Sequence, residues 1–229
     1  MLFEALEAGA PVEAVYVPSG TGSDLVDRAR AQGLRVFELE PGVLERVSGV
    51  LNPQPVLAVG GFVDVPLDKL AGSDFVVVCV DIRDPGNLGT VVRSAEGAGV
   101  AGVICCTGTA DIYNPKCVRA SAGSIFHVSI VIGLKAQNAL AQVGELGLRR
   151  LGCWPAGGTS LYDLDMTVPV AVVVGNEANG LGPELECHLD ARVTVPMVGR
   201  TESLNVGMTA AVVVFEVARQ RAMYRPTTS

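Results

Sequence analysis

Phe75-Val76-Val77-Val78-Cys79-Val80-Asp81 is an apolar run of strand length that ends on a carboxylate. A strand that is apolar on both faces has to be covered on both faces, as in a parallel sheet lined by helices. Downstream the pattern alternates. Gly89–Gly97 reads as a helix, Val100–Cys106 as a strand and Pro115–Ala122 as a helix. Strands at Val128–Ile132, Leu151–Ala156, Val170–Gly175 and Arg192–Val195 follow, with a helix at Ala136–Leu146. Ser203–Arg221 reads as a long helix with Ala and Val almost all round, hence buried on most sides. This alternation predicts an α/β domain over 72–229, a mostly parallel sheet with helices on both faces.

Upstream, the elements are shorter. Leu2–Ala8, Ser23–Gln32 and Pro41–Val47 read as helices, with Ser23 as an N-cap and Pro41 opening its helix. Glu13–Val17, Leu34–Leu39 and Val56–Val59 read as strands. They predict a small α/β domain over 1–62, and the Gly- and Pro-punctuated stretch around Gly60-Gly61-Phe62-Val63-Asp64-Val65-Pro66 predicts a linker over 63–71.

Composition narrows the function. Hydrophobic residues make up 49% of the 229, enough for a real core, and charged residues 18%. A net charge of −7 excludes a polybasic nucleic-acid coat, though not a local basic site. The excess acid lies early: residues 1–70 hold 5 basic and 10 acidic side chains, against 12 and 14 over 71–229. A polyanion would therefore meet its cations in the later portion. The six cysteines show no C-x-x-C and no His at ligand spacing, so they read as small buried hydrophobes and no metal is expected. His127 and His188 read as ordinary surface or edge residues. No signal peptide is evident, and no apolar run approaches the roughly 18–20 residues of a membrane span, so a cytoplasmic protein is expected.

Gly97-Ala98-Gly99-Val100-Ala101-Gly102 is a literal G-x-G-x-x-G, but a helix enters it and a strand leaves. A dinucleotide fingerprint needs the opposite order, so a nicotinamide-dependent oxidoreductase is set aside. Three other stretches place polar residues at strand ends, where ligands of open α/β sheets gather. In Asp81-Ile82-Arg83-Asp84-Pro85-Gly86-Asn87-Leu88-Gly89-Thr90-Val91-Val92-Arg93, Asn87 sits where a helix starts and Arg93 projects about two turns later. In Val174-Gly175-Asn176-Glu177-Ala178-Asn179-Gly180, a strand ends in a glycine-rich loop carrying one carboxylate. In Val195-Pro196-Met197-Val198-Gly199-Arg200-Thr201-Glu202-Ser203-Leu204-Asn205-Val206-Gly207, a polar loop leads into the last helix, where Ser203 and Asn205 either cap it or leave free N–H groups to a ligand.

Together and in this order, the three stretches resemble the three motifs of the SpoU (TrmH-type) branch of the SPOUT RNA methyltransferases. Tyr113-Asn114-Pro115-Lys116-Cys117-Val118-Arg119 is similar to the segment between the first two motifs. The match spans about residues 75–221, and the N-terminal part is similar in pattern to the ribosomal-protein-like RNA-binding domain of many members. The resemblance implies a SPOUT-type parallel sheet whose C-terminal segment is threaded into a trefoil knot, a rare exception to chain topology, and a homodimer with the last helix at its interface.

The implied cofactor is S-adenosylmethionine, held by Gly175, Asn176, Glu177, Val195, Met197 and Leu204. The implied reaction is methyl transfer to a ribose 2′-hydroxyl of RNA, with Asn87, Arg93, Ser203 and Asn205 at the reacting centre. Lys116, Arg119 and Arg200 would contact backbone phosphates, with Arg83 as a further candidate. The appended domain favours 23S rRNA of the large subunit as substrate, a resistance-type modification included; alternatives are tRNA or a catalytically idle RNA-binding assembly factor. Two departures stand out. Members commonly carry an N-terminal arm before the segment that Met1–Gly9 matches here, whereas this chain starts inside that first helix, so a short or trimmed arm is expected. Gly207 and Met208 also replace the usual small β-branched run at the last helix start, where glycine costs helix stability.

Overall fold

The computed structural model describes residues 1–21, 24–48 and 54–224. The chain divides into two compact units, Met1–Val63 and Asp64–Ser229. The first contains α1 (Leu2–Glu7), β1 (Val12–Pro18), α2 (Asp24–Ala31), β2 (Arg35–Leu39), α3 (Val43–Ser48) and β3 (Leu57–Gly60). Its sheet has the order β2-β1-β3, with β1 parallel to β2 and antiparallel to β3. Alternation along β1 puts Val15 and Val17 on one face, where they form a core with Leu2, Leu6, Val26 and Ala29 of the first two helices. Ser23, read as the cap of α2, lies outside the described residues.

The second unit contains β4 (Phe75–Cys79), α4 (Pro85–Gly97), β5 (Gly102–Cys105), α5 (Pro115–Ala120), β6 (Ser129–Ile132), α6 (Ala136–Glu145), β7 (Arg149–Cys153), β8 (Thr159–Ser160), β9 (Val170–Val174), β10 (Ala191–Thr194) and α7 (Val206–Tyr224). Seven strands form one sheet in the order β6-β5-β4-β9-β7-β10-β8, and every pairing in it is parallel. All residues of β4 and β9 are buried, as their unbroken apolar runs require. The chain steps outward from β4 to β6, crosses back to lay down β7, and later inserts β9 between β4 and β7. The order therefore reverses at the β4–β9 seam, the place in an open α/β sheet where a crevice opens beyond the strand ends.

Several boundaries differ from the sequence reading, and the larger differences bear on the site. Residues 64–71, read as linker, pack on the second unit: the Val65 N–H donates to the Ile130 carbonyl at 2.8 Å, and Leu70 is buried among Val76, Ile104 and Val131. Val65, Leu67 and Leu70 supply apolar anchors that the neighbouring Gly and Pro obscure. Helix α4 starts at Pro85, four residues before the expected Gly89, because Asp84 caps it and proline is favoured at the first helical position. Helix α7 starts at Val206 instead of Ser203. It is buried on most sides except along one stripe, where Met208 and Phe215 are each about half exposed and half-buried Ala211 and Val212 lie between them. The two-residue strand β8 has no period to announce it.

Gly97-Ala98-Gly99-Val100-Ala101-Gly102 is the turn from α4 into β5. Helix α4 packs against α5 at Gly89, where a Cβ would lie 2.4 Å from the Cys117 carbonyl oxygen and 2.6 Å from the Ala120 Cβ. Gly89→Ala is therefore expected to destabilise the chain by about 1–3 kcal/mol through overpacking. Urea unfolding checks this; an unchanged midpoint would contradict such close helix contact.

Candidate active site

Beyond the carboxyl ends of β7, β9 and β10, against the first turns of α7, lies a cavity of about 290 Å³. Gly175, Asn176, Glu177, Val195, Met197 and Leu204 all line it, and Ser203 lines it too. Cys153, Trp154 and Pro155 form a further wall that sequence reasoning missed, because they were read as the end of a strand. Burial pushes the Cys153 thiol up to about 12, which keeps it in the neutral form at this wall.

Two polar loops hold the cavity's rim. Asn176 closes the turn after β9: its Oδ1 accepts from the Ala178 and Asn179 N–H groups at 2.9 and 3.0 Å. Its Nδ2 donates to the Asp81 carbonyl at 2.9 Å and to the Asp81 carboxylate at 3.1 Å, tying β9 to the end of β4. Asp81 adopts a positive φ of 54°, an arrangement its short polar side chain tolerates.

Glu177 then reaches across the seam. Its carboxylate accepts from the Arg83 and Asp84 N–H groups, each at 3.2 Å, and from Asn87 Nδ2 at 3.0 Å. Asn87 Oδ1 in turn accepts from Asn205 Nδ2 at 2.9 Å. Asn205 Oδ1 accepts from the Gly207 N–H at 2.9 Å and the Met208 N–H at 3.4 Å, and its carbonyl accepts from Thr209 N–H at 2.8 Å, so Asn205 is the N-cap of α7. A hydrogen-bonded line thus joins all three motifs. At Gly207 a Cβ would come within 3.1 Å of Thr90 and 3.2 Å of Asn205 Oδ1, so this first turn packs closely on α4.

These contacts assign the caps. Asp84 caps α4, its Oδ1 accepting the Asn87 N–H at 2.9 Å, and the Asn87 side chain at that helix start is left to bridge Glu177 and Asn205. Ser203 is not a cap, since it precedes the helix and lines the cavity. The fixed α4 terminus also orders a cation: Lys116 Nζ sits 2.6 Å from the Asp84 carboxylate, and together with the Asn87 N–H it holds Asp84 below the usual carboxylate range. Arg83 pairs with Asp81 at 2.7 Å. Arg93, Arg119 and Arg200 are exposed and have no hydrogen-bond or ionic partner among the described residues. Arg93 does not line the cavity. His127 is exposed and His188 half-buried, neither lining the cavity. Among the described residues no cluster of His, Cys, Asp or Glu is arranged to hold a metal, and no helix is long and apolar enough to cross a membrane.

Residues 74–215 match the SpoU rRNA Methylase family. An uncharacterized tRNA/rRNA methyltransferase of Mycobacterium avium (strain 104) is 34% identical over 96% of this chain and 75% of its own length. The 23S rRNA (guanosine(2553)-2′-O)-methyltransferase RlmP of Bacillus subtilis (strain 168) is 32% identical over 93% of this chain and 84% of its own. Among solved structures, the SpoU methyltransferase AviRb of Streptomyces viridochromogenes superimposes with a TM-score of 0.87 at 28% identity, covering 98% of this chain and 88% of that one. AviRb in complex with AdoMet superimposes at 0.85. The chain belongs to the SpoU rRNA methylase family.

Glu177 gives the site a pH signature. Burial raises its carboxyl, but the Asn87 amide and the backbone N–H groups outweigh that and hold it below its ordinary value. Its contribution to stability is thus complete above the ordinary Glu value of about 4.3 and is lost as pH falls through the lowered folded value. Glu177→Gln is expected to cost about 1 kcal/mol or less at neutral pH, since the group is exposed, and the gap should close as pH falls through that lowered value. Urea unfolding across that range measures it; a gap independent of pH would contradict the charged anchor.

Proposed function

We propose that this protein transfers the methyl group of S-adenosylmethionine to a ribose 2′-hydroxyl of RNA, with 23S rRNA as its substrate. The observation that carries the reading is the Glu177–Asn87–Asn205 line, which ties the first motif to the second and third, whose loops line one cavity although Asn87 and Asn205 themselves do not. The lining fits the cofactor. Apolar Val195, Met197 and Leu204 suit an adenosine, the single carboxylate of Glu177 suits a cation, and the volume is of small-ligand scale. When bound, the cofactor supplies a methyl group activated by its positive sulfur.

The chain's own residues supply alignment. In-line displacement asks mainly that two atoms be held together and that the hydroxyl be polarised. Arg93, exposed and unpaired, anchors the phosphate beside the target ribose and polarises the hydroxyl; as a guanidinium it stays protonated, so it is not the base. Asn87 and Asn205 hold the first and third motifs in register, and Ser203 stands at the cavity wall where the two substrates meet. Arg119 and Arg200 are free for further phosphates, while Lys116 is already engaged with Asp84 and contributes a shared charge.

Two features of the fold support the rest of the assignment. The apolar stripe Met208, Ala211, Val212 and Phe215 on α7 supports a homodimer through that helix. Late insertion of β9 between β4 and β7, with α7 returning against α4, supports a threaded C-terminal segment. Cytoplasmic RNA is the partner we assign.

The test is transfer of labelled methyl to unmodified RNA, with large rRNA, small rRNA and tRNA separated afterwards. Label in large rRNA within an alkali-resistant dinucleotide is expected, with a loss of at least about 100-fold for Arg93→Ala at unchanged stability. Label in tRNA alone would overturn the rRNA assignment. Absence of label from every RNA would overturn the activity.

A further inference from the structure

A second, smaller cavity opens at the same edge of the sheet, beyond the carboxyl ends of β5 and β6, and the site described above does not use it. Its volume is about 170 Å³, below the roughly 300 Å³ at which pockets for drug-sized ligands begin, so it has room for one flat, base-sized ring system. One wall is the segment from Cys105 to Ile112, and the backbone pins it along its length. Cys106 N–H donates to the Cys79 carbonyl at 2.9 Å, Thr107 N–H to the Leu134 carbonyl at 2.8 Å and Ala110 N–H to the Ile82 carbonyl at 2.7 Å. Thr109 Oγ1 donates to the Cys79 carbonyl at 3.1 Å. Ile132, at the end of β6, lines the cavity too and leaves part of its apolar side chain exposed. Asp111 is the one charged group of the lining among the described residues. It is exposed, its Oδ1 accepts the Tyr113 N–H at 2.9 Å, and it pairs with no cation among the described residues. Most of its acceptor capacity is therefore left to a ligand.

The place of this cavity ties it to the reaction. Through the Ala110–Ile82 bond its wall rests on the first motif, one residue before Arg83, and α5 with Lys116 begins three residues after Ile112. Both cations are exposed, so a phosphate backbone passing beside the cavity meets positive charge. In the order β6-β5-β4-β9, the cavity stands two strand spacings, roughly 10 Å, from the β4–β9 seam. An RNA strand with its target ribose at the first motif thus brings a neighbouring nucleotide here, and flanking nucleotides are where such enzymes can read sequence context. A carboxylate repels the phosphates of that strand and can only accept, so it addresses donors on a base. Guanine carries two of them side by side, N1–H and the N2 amine, on the Watson–Crick edge that a splayed base exposes. They match the two oxygens of one carboxylate. We propose that this cavity is a subsite for a guanine flanking the methylated nucleotide, with Asp111 as its specificity-determining residue and Ile132 against the ring. This rests on the RNA reading above and adds to it a residue outside the three motifs.

The test uses the full chain, with its cofactor cavity saturated by S-adenosylhomocysteine, and dye-labelled oligouridylates that carry one central guanosine, inosine, adenosine or cytidine. Binding is followed by fluorescence anisotropy, and methyl transfer to large rRNA is measured on the same preparations without the added S-adenosylhomocysteine. The guanosine oligomer should bind about tenfold more tightly than the inosine one, which lacks only the N2 amine, and than the other two. Asp111→Asn, which keeps an acceptor for the Tyr113 N–H, should bring all four within about twofold of one another. Ile132→Ala should weaken the guanosine oligomer about threefold. Equal binding of the four by the unaltered protein, or a preference that survives Asp111→Asn, would overturn the subsite. A loss shared equally by all four in Asp111→Asn would do the same, since it would show a purely structural role. A preference for adenosine or cytidine would overturn the assignment of guanine. No binding of any oligomer, with methyl transfer to rRNA retained, would overturn the subsite and leave the activity intact. Absence of both from the unaltered protein would overturn both.

Discussion

The charge of one carboxylate sets the direction of the hydrogen bonds that run from Glu177 through Asn87 to Asn205. An ionised Glu177 can only accept, so the Asn87 amide must turn its NH₂ towards it. That leaves the Asn87 oxygen for the Asn205 NH₂, and the Asn205 oxygen for the N–H groups that open α7. Each amide has one orientation that satisfies both neighbours, and the far end is fixed independently, since a helix N-terminus offers only donors. Segments about 90 and 118 positions apart in the chain are locked by three side chains. The helix that carries Arg93, the loop that borders the cavity and the helix that closes it are thereby held in one arrangement.

The sheet makes this line possible. Reversal of strand order between β4 and β9 sets the ends of both strands side by side, so Asp81 and Asn176 can bond across the seam and Glu177 can reach the first turn of α4. The cavity lies on the other side of the same loop, bounded by β7, β10 and α7. A net charge of −7 does not conflict with an RNA substrate, because the exposed arginines 93, 119 and 200 all lie in the less acidic portion of the chain.

Much of this was legible in sequence, and the exceptions share a cause. Apolar runs and helical spacing announce elements of five residues or more, and the motifs announce which strand ends carry chemistry. What they do not announce is a partner far away in the chain. Asn87 at a helix start looks like a cap, yet Asp84-Pro85 is the stronger local signature, an acceptor followed by proline at the first helical position. Reading that pair would have freed Asn87 for a distant role. Likewise Asn205, and not Ser203, is the polar residue that directly precedes the last helix. Trp154 follows a strand as directly as Asp81 and Asn176 do, but without a polar neighbour it looked like more strand; the signal was its place after β7, next to a proline. Leu70 shows the same limit in the core, since nothing local distinguishes a buried leucine from one in a linker.

The central claim is that Glu177 and Asn205 act as one unit through Asn87. A double-mutant cycle on the rate of methyl transfer, using Glu177→Gln, Asn205→Ala and the pair, measures that coupling directly. The account predicts that the double variant is no slower than the poorer single variant, within about threefold, because either change already breaks the line. Losses that multiply would show two independent contributions and contradict it.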